Sequence, residues 1–203
     1  MALGGLAQIW AWRLVAVGHL SIWAATVPAL AACGVAAVVT GEVELSPKVS
    51  VPVAVAGGLA AGIVLYLATR AFLAVATRSA YFRRAQQEIY EEQGSVSTGL
   101  ALVLSLGLAV PGEELFWRGL FQGQVTDVFG GLTGVLLTWI SYIVVNAASG
   151  MTALVMGAVV GGAVWGALAW WTHGVLAALV CHGVWTGLML VRPPVLRRAG
   201  LHM

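Results

Sequence analysis

Long apolar stretches alternate with short charged segments along the whole chain, and this alternation predicts membrane-spanning helices. Each stretch approaches or exceeds the roughly 20 residues that a helix needs to cross the hydrocarbon core of a bilayer. The sequence therefore predicts an all-α, polytopic transmembrane helical bundle of about six spans. The stretches cover about residues 12–39, 51–77, 96–127, 131–148, 150–171 and 173–191.

The charges between the stretches predict how the bundle sits in the membrane. The segment 40–50 contributes acidic residues, whereas the segment 77–95 and the tail after Val191 carry most of the arginines. Cytoplasmic loops have an excess of Lys and Arg. We therefore expect a multi-pass protein of the cell membrane, with both termini in the cytoplasm and membrane lipid around it.

The charged segment between the second and third stretches divides the chain into two parts. Residues 78–93 carry charges at helical spacing, which is typical of a linking helix with one face in water. We predict that residues 1–95 form an N-terminal transmembrane helix pair plus this linking helix. Residues 96–203 form a core that holds the polar residues, and both parts pack as one membrane domain.

The composition supports a membrane protein, and it argues against a soluble domain, a nucleic-acid-binding protein and a disulfide-rich protein. The 203-residue chain is 60% hydrophobic and 9% charged, whereas about a quarter of the residues of a soluble domain are charged. The net charge of +2 comes without a basic face, so nucleic acid is not an expected partner. Two cysteines are too few for a disulfide framework.

Three ionisable residues interrupt the third apolar stretch, and they are the first candidates for chemistry. A charge at membrane depth is costly unless it is paired or hydrated, so its default interpretation is functional. Glu114 and Arg118 are four residues apart and can pair on one helical face, which a purely structural ion pair would also do. Glu113 points about 100° away and is free to face a cavity.

Other polar residues are expected at the same depth as the glutamates. Gly130-Gly131 predicts a tight turn, with Glu114 about 16 residues before it and Asn146 about 15 residues after it, so equal helical rise gives them similar depth. His182 lies inside the sixth stretch and shares a face with Thr186. Isolated helix–helix hydrogen bonds are the alternative interpretation of such residues. We expect one polar cavity formed by Glu113, Glu114, Asn146 and His182.

The segment Glu113–Arg118, which reads Glu-Glu-x-x-x-Arg, resembles the first motif of a known membrane-enzyme family. This is the CAAX protease and bacteriocin-processing enzyme family, also called the Abi family, whose members are polytopic intramembrane endopeptidases. The resemblance extends over about residues 96–191. The second motif of the family, Phe-x-x-x-His, aligns on Tyr142–Asn146, and the third, His-x-x-x-Asn or Asp, aligns on His182–Thr186.

The resemblance implies a role for each residue of the first and third motifs. Glu113 would be the base that activates a water molecule against the substrate carbonyl. Glu114, together with Arg118, would hold Glu113 in place. His182 would assist as a metal ligand or as a donor to the oxyanion.

Two positions depart from the family motifs. Asn146 stands where the family has histidine, and an amide is neither a base at neutral pH nor a good transition-metal ligand. Thr186 stands where the family has asparagine. Asn146 and Thr186 would then donate hydrogen bonds to the substrate or the oxyanion. Stable zinc binding usually needs three protein ligands. We therefore expect no cofactor and no tightly bound metal, with a divalent ion such as zinc as the alternative.

Two functions from different classes follow from these residues. The first is a CAAX-type intramembrane endopeptidase that hydrolyses a peptide bond with a glutamate-activated water at reduced rate, acting on a peptide or a membrane protein. The alternative is a catalytically inactive family member that serves as an accessory or scaffold subunit of a membrane-protein complex. Transport is a weaker option, because the chain shows no repeated halves with broken helices.

Overall fold

The computed structural model describes residues 1–40, 43 and 45–194, and these residues form helices without any strand. This confirms the predicted all-α class. Glu42, Glu44 and the end of the second predicted part, residues 195–203, lie outside the described residues. The helices are α1 Ala2–Ala16, α2 Ile22–Val39, α3 Val51–Ala76, α4 Ala80–Gln93, α5 Thr98–Phe129, α6 Gly131–Ala147, α7 Thr152–Thr172 and α8 Leu176–Val191.

Six of these helices correspond to the six predicted spans. α2, α3, α5 and α7 are long and apolar enough to cross a membrane. α6 and α8 are equally apolar but shorter, with 17 and 16 residues. The chain is therefore a multi-pass helical membrane protein. α3 packs along α8 and α2 packs along α5, so helices from both predicted parts are interleaved in one bundle.

The first predicted span, residues 12–39, is wrong as a single helix. α1 ends at Ala16 and α2 begins only at Ile22. Gly18 lies between them with a φ of 74°, a conformation that glycine adopts without steric cost. The side chain of Ser21 then caps α2 by accepting a hydrogen bond from the backbone of Ala24, at 3.3 Å. The apolar residues on both sides of this turn hid the break, although Gly18, His19 and Ser21 interrupt them.

α1 folds back onto the bundle instead of extending α2. It packs against α2 and α6. The buried side chain of Gln8 accepts a hydrogen bond from the indole nitrogen of Trp117 on α5, at 2.9 Å. A buried indole N–H usually needs such a partner. This contact ties α1 to the part of α5 that follows the two glutamates.

α2 and α5 approach each other so closely that only glycine fits at the crossing. A Cβ on Gly34 would lie 2.5 Å from the Cα of Gly112, and a Cβ on Gly112 would overlap the carbonyl oxygen of Leu30. Small residues allow such approach between membrane helices. The crossing holds α2 against the turn of α5 that immediately precedes Glu113.

Gly112→Ala is therefore expected to destabilise the protein, because the added methyl group meets backbone atoms that cannot rotate away. Overpacking costs about 1–3 kcal/mol, and thermal melts in detergent will measure it. Gly107→Ala is the matched control on the same helix, since a Cβ there meets no atom within 4 Å. Alanine favours a helix over glycine by up to about 1 kcal/mol. Equal melting temperatures for the two variants would contradict the predicted crossing.

Candidate active site

A cavity of about 500 Å³ lies inside the bundle, and the predicted polar residues line part of it. Most of its lining side chains are apolar and come from α2, α3, α4, α7 and α8. Among the described residues, Glu113 and His182 are the carboxylic acid and the imidazole that line it. The structure thus brings four of the predicted residues to one cavity: Glu113, Asn146, His182 and Thr186.

The linking helix α4 forms another part of the cavity wall. Phe82, Ile89 and Tyr90 line the cavity, while charged residues of the same helix are exposed. The carboxylate of Glu92 accepts a hydrogen bond from the first backbone N–H of α2, at 3.4 Å. α4 therefore has the predicted exposed, charged face, and its other face forms part of the cavity wall.

The two glutamates sit on a short α-helical turn between π-helical stretches. α5 is π-helical over Ser105–Ala109 and Leu115–Phe121, and α-helical over Val110–Glu114. Pro111 has no N–H for the helical ladder, so the helix is already interrupted at this point. π-helical turns are rare and are frequent at functional sites. They redirect the side chains that follow them relative to a regular helix.

Glu113 and Glu114 have different environments, which is the central feature of the site. Glu114 is 0% exposed and does not line the cavity. Glu113 is half-buried, lines the cavity and accepts a hydrogen bond from the hydroxyl of Tyr142 at 2.7 Å. The adjacent carboxylates are therefore separated into one that is enclosed and one that is accessible.

The enclosed carboxylate is held by two cationic or polar side chains on the same oxygen. Arg118 contacts Oε1 of Glu114 at 3.4 Å, and Nδ1 of His182 contacts the same oxygen at 2.8 Å. The second oxygen, Oε2, has no protein partner among the described residues. The predicted pair of Glu114 and Arg118 is present in the structure, and His182 joins it.

Aromatic rings and a backbone carbonyl complete the environment of Arg118. Its second amino group donates to the carbonyl of Gly162 on α7, at 3.2 Å. The guanidinium carbon lies 4.4 Å from the ring centre of Tyr142 and 5.3 Å from that of Trp165. A cation over an aromatic face is attracted by the ring quadrupole, more strongly when water is excluded. These contacts offset the cost of burying the charge.

His182 is fixed in orientation by two contacts. Its ring stacks on Trp165 with the ring centres 3.7 Å apart and the planes 14° apart. Nδ1 of His182 lies within hydrogen-bonding distance of Oε1 of Glu114, at 2.8 Å, and the tautomer of the ring determines which of the two donates. Nε2 is the ring nitrogen that this bond leaves free. Trp165 was not predicted as a site residue, because a tryptophan within an apolar helix gives no signal of its own.

Asn146 lines the cavity, but Tyr142 is the residue that contacts Glu113. The amide of Asn146 donates to the backbone carbonyl of Tyr142, at 2.9 Å. Equal residue counts from Gly130 predicted that Asn146 lies opposite the glutamates. In the structure the residue opposite Glu113 is Tyr142, one helical turn nearer to Gly130. α5 is π-helical over Leu115–Phe121, so the equal rise per residue that the count assumes does not hold on that side of the turn. Thr186 is half-buried in the cavity wall, one turn beyond His182.

The donor set of the site does not fit a zinc ion. The described residues contain no group of three His, Cys, Asp or Glu side chains that could hold a metal. Glu113 and His182 are two such side chains at the cavity, and the third candidate, Glu114, is enclosed by its own partners. Structural and catalytic zinc sites use at least three protein ligands. No catalytic step is therefore derived through a metal.

Comparison with known families covers the part of the chain that contains the site. The family described as type II CAAX prenyl endopeptidase, Rce1-like, matches residues 95–188. This segment contains all six predicted site residues. Neither a curated protein nor a solved structure matches the chain. Residues 95–188 are therefore similar to the CAAX protease family of membrane proteins.

Proposed function

We propose that this protein is an active CAAX-type intramembrane endopeptidase that uses Glu113 to activate water. The observation that carries the proposal is the separation of the two glutamates. Glu114 is enclosed by Arg118 and His182, whereas Glu113 lines an internal cavity of about 500 Å³. An accessible carboxylate in a mostly apolar cavity is suited to general-base catalysis.

Hydrolysis needs a proton acceptor, a site for the oxyanion and a proton for the leaving amine. Glu113 takes a proton from water as the water oxygen bonds to the carbonyl carbon of the scissile peptide bond. The tetrahedral intermediate carries its negative charge on the former carbonyl oxygen. The proton held by Glu113 then passes to the amide nitrogen as the C–N bond breaks, giving a carboxylate and an amine.

Three further residues would stabilise the intermediate from the cavity wall. His182, Asn146 and Thr186 line the same cavity as Glu113 and are its candidate donors to the oxyanion or to the substrate backbone. Donors aimed at a developing oxyanion typically contribute about 10²–10³ in rate each. Without a histidine at position 146, the enzyme has one basic side chain fewer, so we propose a reduced rate compared with family members that have it.

The proposal includes a location and partners for the protein. We propose that the protein lies in the cell membrane with both termini in the cytoplasm, in contact with lipid. Its partner in this function is a peptide or a membrane protein that enters the cavity, and nucleic acid has no role. No resident metal or other cofactor is proposed, because the donor set at the cavity offers two of the three ligands that zinc requires.

An inactive accessory or scaffold subunit of a membrane-protein complex is the second candidate. The observation that favours it is Asn146, whose amide is engaged with the backbone of its own helix. A cavity without a histidine at position 146 keeps its shape and can bind a peptide segment without cleaving it. This function depends on the helix crossings and the cavity wall, and not on the charge of Glu113.

Hydrolysis can be detected directly through the oxygen of the attacking water. The purified protein in lipid vesicles is incubated in ¹⁸O-labelled water with a farnesylated CAAX peptide and, separately, with a pool of apolar peptides. We expect cleavage products that carry one ¹⁸O atom in the new carboxyl terminus, seen by mass spectrometry. Intact peptides that co-purify with the protein, without cleavage in either sample, would favour the scaffold.

A further inference from the structure

We propose that Tyr142 is the positioning residue for Glu113, and that it supplies the polar partner that this chain lacks at position 146. The inference rests on the proposed function, because it concerns how Glu113 is held for catalysis. Among the described residues, the phenol of Tyr142 is the hydrogen-bond donor to Glu113, at 2.7 Å. The family motif has phenylalanine at this position, which has no hydroxyl to donate.

Asn146 does not compete for this role in the structure. Its side-chain amide donates to the carbonyl oxygen of Tyr142 at 2.9 Å, and its backbone carbonyl accepts from the hydroxyl of Ser149 at 2.7 Å. The side chain at the histidine position thus bonds to the backbone of its own helix, one turn earlier. Tyr142, one turn earlier on the same face, reaches Glu113 because a phenol extends further than an amide side chain.

The Tyr142 ring is held rigidly, which a positioning role requires. The side chain is 4% exposed. Arg118 lies over its face at 4.4 Å, and the ring of Trp117 meets it edge-on with centres 5.4 Å apart. A Cβ on Gly162 would lie only 2.9 Å from the ring, so the absent side chain leaves the space that the phenol occupies. Rings fixed in this way keep the hydroxyl at one point.

The hydrogen bond assigns different tasks to the two oxygens of Glu113. Oε1 accepts from the Tyr142 hydroxyl, which leaves Oε2 to accept the proton of the attacking water. The phenol keeps its proton throughout, so Tyr142 orients the base and transfers nothing itself. A base held in one geometry reacts faster than one that samples several rotamers.

Tyr142→Phe tests the proposal, because it removes the hydroxyl and keeps the ring contacts. A hydrogen bond to a charged group contributes about 1.5–3 kcal/mol, so we expect kcat for the farnesylated CAAX peptide to fall about 10- to 100-fold. KM should stay unchanged. The double variant Tyr142→Phe/Asn146→His restores the family arrangement and should recover much of the lost kcat, which a merely structural role of the hydroxyl does not predict.

Tyr66→Phe is the matched control. Tyr66 is also buried and its hydroxyl also makes one hydrogen bond, to the carbonyl of Arg192 at 2.8 Å, but it lies outside the cavity wall. This variant should keep the activity of the native chain. Thermal melts of all variants in detergent show that each is folded at the assay temperature.

The possible failures are distinguishable. A native chain that is as inactive as Glu113→Gln overturns the proposed function and the role of Tyr142 with it. An active native chain, an inactive Glu113→Gln and a fully active Tyr142→Phe overturn the Tyr142 inference alone. If Tyr142→Phe does not fold, 3-fluorotyrosine at position 142 keeps the packing and strengthens the O–H donor, and an unchanged kcat in that protein overturns the inference.

Discussion

Glu113→Gln is expected to lower the kcat of peptide hydrolysis by about 10²–10⁴-fold, the usual contribution of a general base. Glutamine has the same shape as glutamate, and its amide oxygen can still accept the hydrogen bond from Tyr142. It cannot take a proton from water. The variant therefore removes the chemistry and retains the cavity. Activity against the farnesylated CAAX peptide and complementation of a deletion strain, at matched membrane expression, are the two measurements.

Glu88→Gln is the control for the loss of one carboxylate. Glu88 is exposed on α4 and does not line the cavity, so this variant should behave as the native chain in both measurements. The comparison separates the two candidate functions. A Glu113→Gln protein that complements the deletion strain would show that the cell needs the shape of the cavity and not its chemistry, and the enzyme proposal would then be abandoned.

Arg118→Ala is expected to destabilise the protein by about 3–5 kcal/mol, the cost of breaking a buried ion pair. Glu114 is 0% exposed, and after the substitution its charge keeps only His182 as a partner. The variant also removes the donor to the Gly162 carbonyl and the cation over two aromatic rings. Thermal melts in detergent should show a large fall in melting temperature.

Glu113→Ala is the comparison for this loss of stability. Glu113 is half-buried at the cavity wall and makes one hydrogen bond, so its removal should cost about 1 kcal/mol. The double variant Arg118→Ala/Glu114→Gln no longer has the buried carboxylate at position 114, so part of the lost stability should return. Equal losses for Arg118→Ala and Glu113→Ala, or a reversed order, would mean that the structural and the catalytic glutamate are interchanged.

Hydrophobic periodicity predicted most of the fold, and the exception has a physical cause. The ends of α3, α5, α6, α7 and α8 lie within three residues of the predicted spans, because a helix that crosses the hydrocarbon core is predominantly apolar and its flanking segments are not. The turn at Gly18 was missed. It lies between two apolar helices, and its local signs are Gly18, in a chain that has 26 glycines, with His19 and the capping Ser21.

The candidate site was predictable where it depends on charge and less so where it depends on helix geometry. Glu113, Glu114 and Arg118 stood out because ionisable residues are rare in apolar stretches. The contact of Tyr142 with Glu113 was not predicted, because a count of 1.5 Å per residue assumes a regular α-helix. The position of Trp165 against His182 depends on the packing of α7 on α8, for which a single sequence has no signal.

The π-helical stretches of α5 make the active site sensitive to residue number as well as residue type. A π turn contains about one residue more than an α turn, so each stretch is equivalent to a one-residue insertion into an ordinary helix. Deleting one residue within 115–117 would keep α5 apolar and helical, yet it would rotate Glu113 by about 100° relative to Arg118. A site of this kind can arise or be lost in evolution through a single inserted or deleted codon, with every residue of the candidate site still encoded.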